Sequence, residues 1–234
     1  MREPPPLRAH QARTSRLIPS RYEAQTPRPS VLGAITQDPD EFDILLDLDN
    51  LTNGRVTSGQ GVTYQPYEQM VLAAFEHAGN NRFNVPVPGH GAWYAADRLV
   101  TCVHEVAHHF KARAIDEGLT DTLHVTEYTV YECDAQDTFY DAMQDPDYRQ
   151  HLAIDPDSYA YSQPLGEEVR AQNRAGIVYE SVRAPEPGQT CVVFLQPWAV
   201  RHVGRTSQVY LLWDPARQAA VATRVPPSPA VLRT

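Results

Sequence analysis

The stretch Leu123 to Cys133, LHVTEYTVYEC, alternates with a period of two and is rich in Val, Thr and Tyr. It predicts the longest strand of the chain, because successive side chains of a strand point to opposite faces of a sheet. A second pattern constrains the fold from the helical side. Leu99, Val103, Val106 and Phe110 recur at i, i+4, i+7 and i+11, the stripe of a helix of about 17 residues that turns one face to a core. Asp97 is its expected N-terminal cap. Shorter strands are predicted at Arg16–Pro19, Ala92–Ala96, Ile177–Tyr179, Thr190–Leu195 and Val209–Trp213, and further helices over 40–51, 67–78 and 159–172. Regular β-α-β alternation is absent. The predicted class is therefore α+β, with mixed β-sheets flanked by helices, rather than a doubly wound parallel sheet.

No Gly/Ser-rich linker or internal repeat divides the chain, so a single domain is expected. Residues 1–14, with three consecutive prolines, read as a disordered tail, and residues 215–234 as a second tail, which leaves 15–214 for the folded domain. Twenty Lys+Arg stand against 29 Asp+Glu, a formal net charge of −9. Broad contact with a phosphate backbone needs a dense basic patch, so direct nucleic-acid binding is not expected. Lys111 is the sole lysine, and arginine supplies the remaining cations. Arginine grips phosphates and carboxylates bidentately, so a local anion site stays possible in an acidic protein. Cys102, Cys133 and Cys191 are odd in number and form no CxxC pair. They fit reduced cytoplasmic thiols better than a disulfide framework or a cysteine zinc site. No run approaches the ~18 apolar residues of a membrane helix, and the basic N-terminus has no apolar signal core.

His104-Glu105-Val106-Ala107-His108 spells H-E-x-x-H. On a helix the two histidines share a face and can ligate one zinc ion, while the glutamate polarises a metal-bound water. A third ligand is required, and Glu117, His124, Glu127 and Glu132 are all available, so availability selects none of them. No metzincin extension follows. A zinc-dependent hydrolase is one reading of this helix, and a solvated histidine-rich face is the other.

A wider pattern offers a different role for the same glutamate. Asn81-Arg82-Phe83-Asn84 follows a turn-rich stretch. Ala92-Trp93-Tyr94-Ala95-Ala96 comes next, then the helix bearing Glu105, then Gly176-Ile-Val-Tyr-Glu-Ser181-Val-Arg183, then the strand Cys191-Val-Val-Phe-Leu-Gln-Pro197. Arg16-Leu-Ile-Pro-Ser-Arg21-Tyr22, Leu51-Thr-Asn53 and Tyr161-Ser-Gln-Pro-Leu-Gly166 fall in register with these. Together, over about residues 15–214, the segments resemble the RES domain, a family named for its arginine, glutamate and serine. Two departures stand out. Gly79-Asn80-Asn81 replaces a more glycine-rich run, and Glu180 replaces the usual proline before the serine, placing a negative charge beside the expected anion site.

The resemblance implies a fold like that of ADP-ribosyltransferases and a cytoplasmic, NAD⁺-consuming toxin of a bacterial toxin–antitoxin pair. Its partner would be an antitoxin with a helix-turn-helix part, and no metal is expected. The reaction is cleavage of the nicotinamide–ribose bond, with water, phosphate or a protein as acceptor. The residue types suit that chemistry. Positive charge develops on the ribose as the bond breaks, and Glu105 is the carboxylate expected to stabilise it. Arg82 and Arg16 are the expected pyrophosphate contacts, with Arg16 preferred over Arg21 because an aliphatic residue follows it. Tyr94 is expected to stack on nicotinamide. Ser181 is expected to fix the carboxamide or ribose. Under this reading His104, His108 and His109 are helix-face residues.

Overall fold

The computed structural model describes residues 6–22 and 67–226, together with Glu41 and Ile44. The strands are β1 (Leu7–Pro19), β2 (Trp93–Ala96), β3 (His124–Asp141), β4 (Gly176–Glu180), β5 (Thr190–Phe194), β6 (Arg201–Asp214) and β7 (Ala219–Thr223). The helices with described bounds are α1 (Glu68–Glu76), α2 (Leu99–Asp116), α3 (Pro146–Ile154) and α4 (Ser162–Ala171). All seven strands join one sheet in the order β1-β2-β5-β4-β3-β6-β7, and β1 also pairs with β3. The strands from β1 round to β3 therefore close on themselves, while β6 and β7 extend beyond. The arrangement is α+β with a mixed sheet, as predicted, because β3 meets β4 in parallel and its other neighbours antiparallel.

Strand β3 is the spine. It pairs with β1 without interruption from Leu7↔Tyr140 to Pro19↔Tyr128, and with β6 from His124↔Trp213 to Asp134↔Arg201 through two bulges. It continues to Asp141 instead of ending at Cys133. Alternation along the strands feeds two apolar clusters. Phe83, Phe110, Tyr179 and Trp213 belong to one, and Trp93, Phe139, Phe194 and Phe75 to the other. The predicted stripe of α2 does face the first cluster: Phe110 is buried there, with Leu99, Val103 and Val106 packed against it. Neighbours in β2 divide in the same way, Trp93 into the second cluster and Tyr94 against the first.

Several expectations need correction. Residues 7–14 are not a tail but the first part of β1. Their polar composition is satisfied by partners remote in sequence. His10 is hydrogen-bonded to Asp97 at 2.9 Å, Arg13 donates to Asp134 at 2.7 Å, and the Thr14 hydroxyl donates to the Cys133 carbonyl at 3.0 Å. Asp97 is thereby engaged by His10, and α2 instead starts after Arg98 with no side-chain cap. Residues 219–223, also expected in a tail, pair with β6 as β7. Helix α3 was not anticipated, although its signal is local. Asp145 accepts from the backbone N–H groups of Asp147 and Tyr148, and Pro146 occupies the first turn. Of the predicted helix over 40–51, only Glu41 and Ile44 are described, both helical. Leu51-Thr-Asn53 and the outermost parts of both predicted tails lie outside the described residues. Among the described residues no helix is long and apolar enough to cross a membrane.

Candidate active site

A cleft of about 800 Å³ opens between α1, α2 and the strands β1 and β2, a volume suited to a cofactor-sized ligand. Arg16, Arg82, Tyr94 and Glu105 all line it. Four residues spread over ninety positions of sequence thus converge on one space.

Glu105 sits on α2, turned off the apolar stripe. Its Oε1 accepts a 2.5 Å hydrogen bond from the Ser181 hydroxyl, and the Cys191 thiol lies 3.9 Å from the same oxygen. Ser181 follows β4 directly. Its oxygen also accepts from the backbone N–H groups of Arg183 at 3.2 Å and Ala184 at 3.0 Å. Those two donors orient the hydroxyl so that its own hydrogen goes to the carboxylate. Ser181 is 7% exposed and is not part of the cleft wall. It is placed behind Glu105 rather than toward a ligand, which alters its expected role. Burial pushes the Cys191 thiol well above its ordinary range, with the Glu105 charge adding to the effect, so it stays protonated.

Arg82 is carried by a tight loop. Asn84 Nδ2 donates to the Gly79 carbonyl at 2.7 Å, and Asn81 and Asn84 form a bridge. Helix α4 braces this loop from outside. Gln163 Nε2 donates to the carbonyls of Asn81 at 3.0 Å and Asn84 at 3.2 Å. Gly166 lets the helix approach so closely that a Cβ there would lie 2.0 Å from the Phe83 carbonyl oxygen. The Gln-Pro-Leu-Gly segment noted in the sequence is therefore the seat of the arginine loop. Arg82 is 8% exposed; it donates to the Pro156 carbonyl at 2.8 Å, and its guanidinium lies 5.4 Å from the Tyr159 ring centroid. Its Nη1 is buried without a hydrogen-bond partner.

The Tyr94 hydroxyl ties β2 to the same loop. It accepts from the Phe83 N–H at 3.0 Å and donates to Asn84 Oδ1 at 2.8 Å. Burial raises its pKa, so the phenol remains a donor throughout the neutral range. Its ring is left to form part of the cleft wall.

Arg16 enters from β1. Its guanidinium lies 4.5 Å from the centroid of the buried Trp93 ring, and Nη1 makes long contacts of 3.5 and 3.4 Å to the carbonyls of Ala92 and Tyr94. Nε has no hydrogen-bond partner, and no carboxylate pairs with this arginine among the described residues. Burial lowers its pKa to about 10. The cost of burying the charge is thus present throughout the neutral range, and stability rises with pH above about 10, where the folded protein releases this proton before the unfolded chain does. Replacing the unpaired charge, as in Arg16→Met, is expected to raise the melting temperature at pH 7 while weakening the binding of diphosphates. Thermal unfolding with and without pyrophosphate measures both. Arg21 does not reach the cleft wall.

The remaining sequence candidates fall into place around this centre. Glu180 points to the opposite side of β4, where it accepts from the Gly188 N–H at 2.5 Å, so its charge closes the β4–β5 loop and does not face the cleft. His109 lines the cleft, whereas His104 and His108 do not. Burial, above all, pulls the titration of His108 and His109 downward. Among the described residues no three His, Cys, Asp or Glu side chains gather into a group that could hold a metal ion. Three neighbours of this centre were not singled out from sequence: Tyr159, Arg183 and Asp157. Arg183 was legible in principle, since it lies two positions beyond Ser181 in the same motif. Asp157 and Tyr159 had no local signal, because their relation to Arg82 and Arg183 is purely spatial.

Residues 59–214 match the family model described as the RES domain. The chain belongs to the RES-domain family. No curated protein matches the sequence. Among solved structures, a chain from the crystal structure of the M. tuberculosis MbcT–MbcA toxin–antitoxin complex is similar at 15% identity and a TM-score of 0.46, covering 91% of this chain and 89% of that one. The matched RES domain ends with β6 at Asp214 and contains Arg82, Tyr94, Glu105 and Ser181. Strand β1, which supplies Arg16 and pairs along β3, lies ahead of the matched segment.

Proposed function

We propose that the protein is a NAD⁺-cleaving toxin of a toxin–antitoxin pair, acting on the nicotinamide–ribose bond. One observation carries this reading: Arg82 and Arg16, neither paired with a carboxylate among the described residues, share a cleft with Glu105, whose oxygen Ser181 holds at 2.5 Å. Cations without counter-charges in a ligand-sized space suit a pyrophosphate, and a fixed carboxylate suits the cation that develops on the ribose. In the reaction the C1′–N bond breaks, nicotinamide leaves with the bonding electrons as a neutral base, and the ribose carbon becomes oxocarbenium-like. Glu105 stabilises that charge and orients the attacking oxygen of water, phosphate or a protein acceptor. Tyr94 offers its ring to the leaving nicotinamide. Ser181 acts as a positioning residue for Glu105, which replaces the direct ligand contact expected from sequence.

The acidic surface suits a partner that carries the DNA-binding function, namely an antitoxin with a helix-turn-helix part. No observation favours the zinc hydrolase alternative, since Glu105 is turned to Ser181 and only His109 of the three helix histidines reaches the cleft. Incubation of the purified protein with NAD⁺, alone and with phosphate or protein acceptors, is expected to release nicotinamide. Absence of release under all of these conditions overturns the reading. Ser181→Ala removes a hydrogen bond to a charged group, worth about 1.5–3 kcal/mol, so turnover is expected to fall ~10–100-fold with little change in KM. An unaltered turnover would remove Ser181 from the positioning of Glu105.

A further inference from the structure

The turn between α3 and α4 supplies Tyr159 to the cleft wall and engages two of the arginines that line the cleft. Pro156 offers its carbonyl to Arg82, and Tyr159 lies against the same guanidinium. Between them, the Asp157 carboxylate accepts a short hydrogen bond from Arg183 Nη2. The pairing is asymmetric. The Arg183 side chain is only 16% exposed and lines the cleft, whereas that of Asp157 is 66% exposed and does not. Both residues are tied through their backbones, Arg183 N–H donating to Ser181 Oγ and Asp157 N–H to Asp155 Oδ1, so it is side-chain burial that separates them. The arginine is therefore the fixed member and the aspartate the one that can swing into water. An ion pair with so exposed a partner contributes little to stability, so stability does not account for it. The Arg183 hydrogen bond and charge hold the Asp157 carboxyl below its ordinary range, with smaller contributions from His108 and Arg82.

We propose that Asp157 is an internal counter-anion that occupies Arg183 in place of a substrate diphosphate, so that ligand entry must displace the 155–159 turn. This rests on the reading of the cleft as a dinucleotide site and adds Arg183 to its phosphate contacts. An oxyanion arriving between Arg82 and Arg183 competes directly with the carboxylate, and release of Asp157 frees the turn that also touches Arg82. Ligands with a diphosphate, whose charge spans two arginines, are favoured over those with a single phosphate.

The test uses inorganic pyrophosphate as probe, titrated calorimetrically into the full-length protein. Asp157→Asn is expected to bind it about 10-fold more tightly than the unaltered chain, and Arg183→Gln at least 10-fold more weakly. In the double variant the gain from Asp157→Asn should vanish, since it acts only through Arg183. Unchanged or weaker binding by Asp157→Asn, or a gain that persists without Arg183, overturns the proposal. A merely structural aspartate would not yield tighter binding when removed. Nicotinamide release separates the two levels. Tighter pyrophosphate binding by Asp157→Asn without any NAD⁺ cleavage retains the counter-anion and rejects the NAD⁺ reading. Cleavage with the pyrophosphate affinity of Asp157→Asn unchanged does the reverse.

Discussion

Glu105→Gln is expected to lower nicotinamide release by at least ~10²–10³-fold, the magnitude typical of losing a principal electrostatic contact to the transition state. The amide has the shape of the carboxylate, and its oxygen can still accept from Ser181, which donates to Oε1 at 2.5 Å. Geometry is kept and charge is removed. The oxocarbenium-like centre then faces a neutral dipole in a partly enclosed cleft, where the missing charge is poorly replaced by water. The effect should appear in kcat more than in KM, because the positive charge on the ribose grows only as the bond breaks. The melting temperature should stay close to that of the unaltered protein. Turnover within a few-fold of the original would exclude Glu105 from the reaction, and a collapse in stability would show that the carboxylate has a packing role instead.

The second large effect is expected far from the reacting atoms. Gly166→Ala would place a methyl group 2.0 Å from the Phe83 carbonyl oxygen, a backbone atom that has no soft rotation available. Helix α4 or the arginine loop must then move apart. Overpacking of this kind costs about 1–3 kcal/mol, which for a domain of this size corresponds to a melting temperature lower by ~2–12 °C. The displaced segment is the one that aims Arg82 and receives the Tyr94 hydroxyl, so the KM for NAD⁺ should rise along with the loss of stability. Thermal unfolding and steady-state kinetics on one preparation measure both. If stability falls while KM is unchanged, Arg82 does not depend on this seat; if neither moves, the close approach is not a constraint.

Much of the secondary structure was legible because its signals are local. The i, i+4, i+7, i+11 stripe located α2, the period-two run over Leu123–Cys133 located β3, and short apolar runs located β4 and β5. The errors share a different cause. Residues 7–14 resemble a tail by composition, yet they form a strand, because Asp97, Cys133 and Asp134 satisfy their polar groups across the fold. A propensity argument cannot see partners more than eighty positions away. The same holds for Asp97, which is a good cap by residue type but is held instead by His10.

The site divides along the same line. Arg82, Tyr94, Glu105 and Ser181 could be proposed from motif order, and Arg16 could be preferred to Arg21. Ser181 shows the limit of that reasoning. Its type suits a ligand contact as well as a support, and only the approach of β4 to α2 directs its hydroxyl to Glu105. Glu180 is the complementary case. Its charge looked unfavourable beside an anion site, but strand alternation points it away, to the Gly188 N–H.

What the sequence by itself determined was the inventory: an α+β class, an acidic chain whose cations are almost all arginine, and the motifs in order. What only the tertiary structure decided was which of those charges lack partners and face one another. Periodicity and composition act through neighbouring residues along the chain. Whether Arg16 meets a carboxylate or Trp93, and whether Arg183 meets solvent or Asp157, depends on how β1 closes against β3 and on where the α3–α4 turn is brought against the cleft wall. Those contacts are long-range, and they turn a negatively charged protein into one with a small, locally positive cleft.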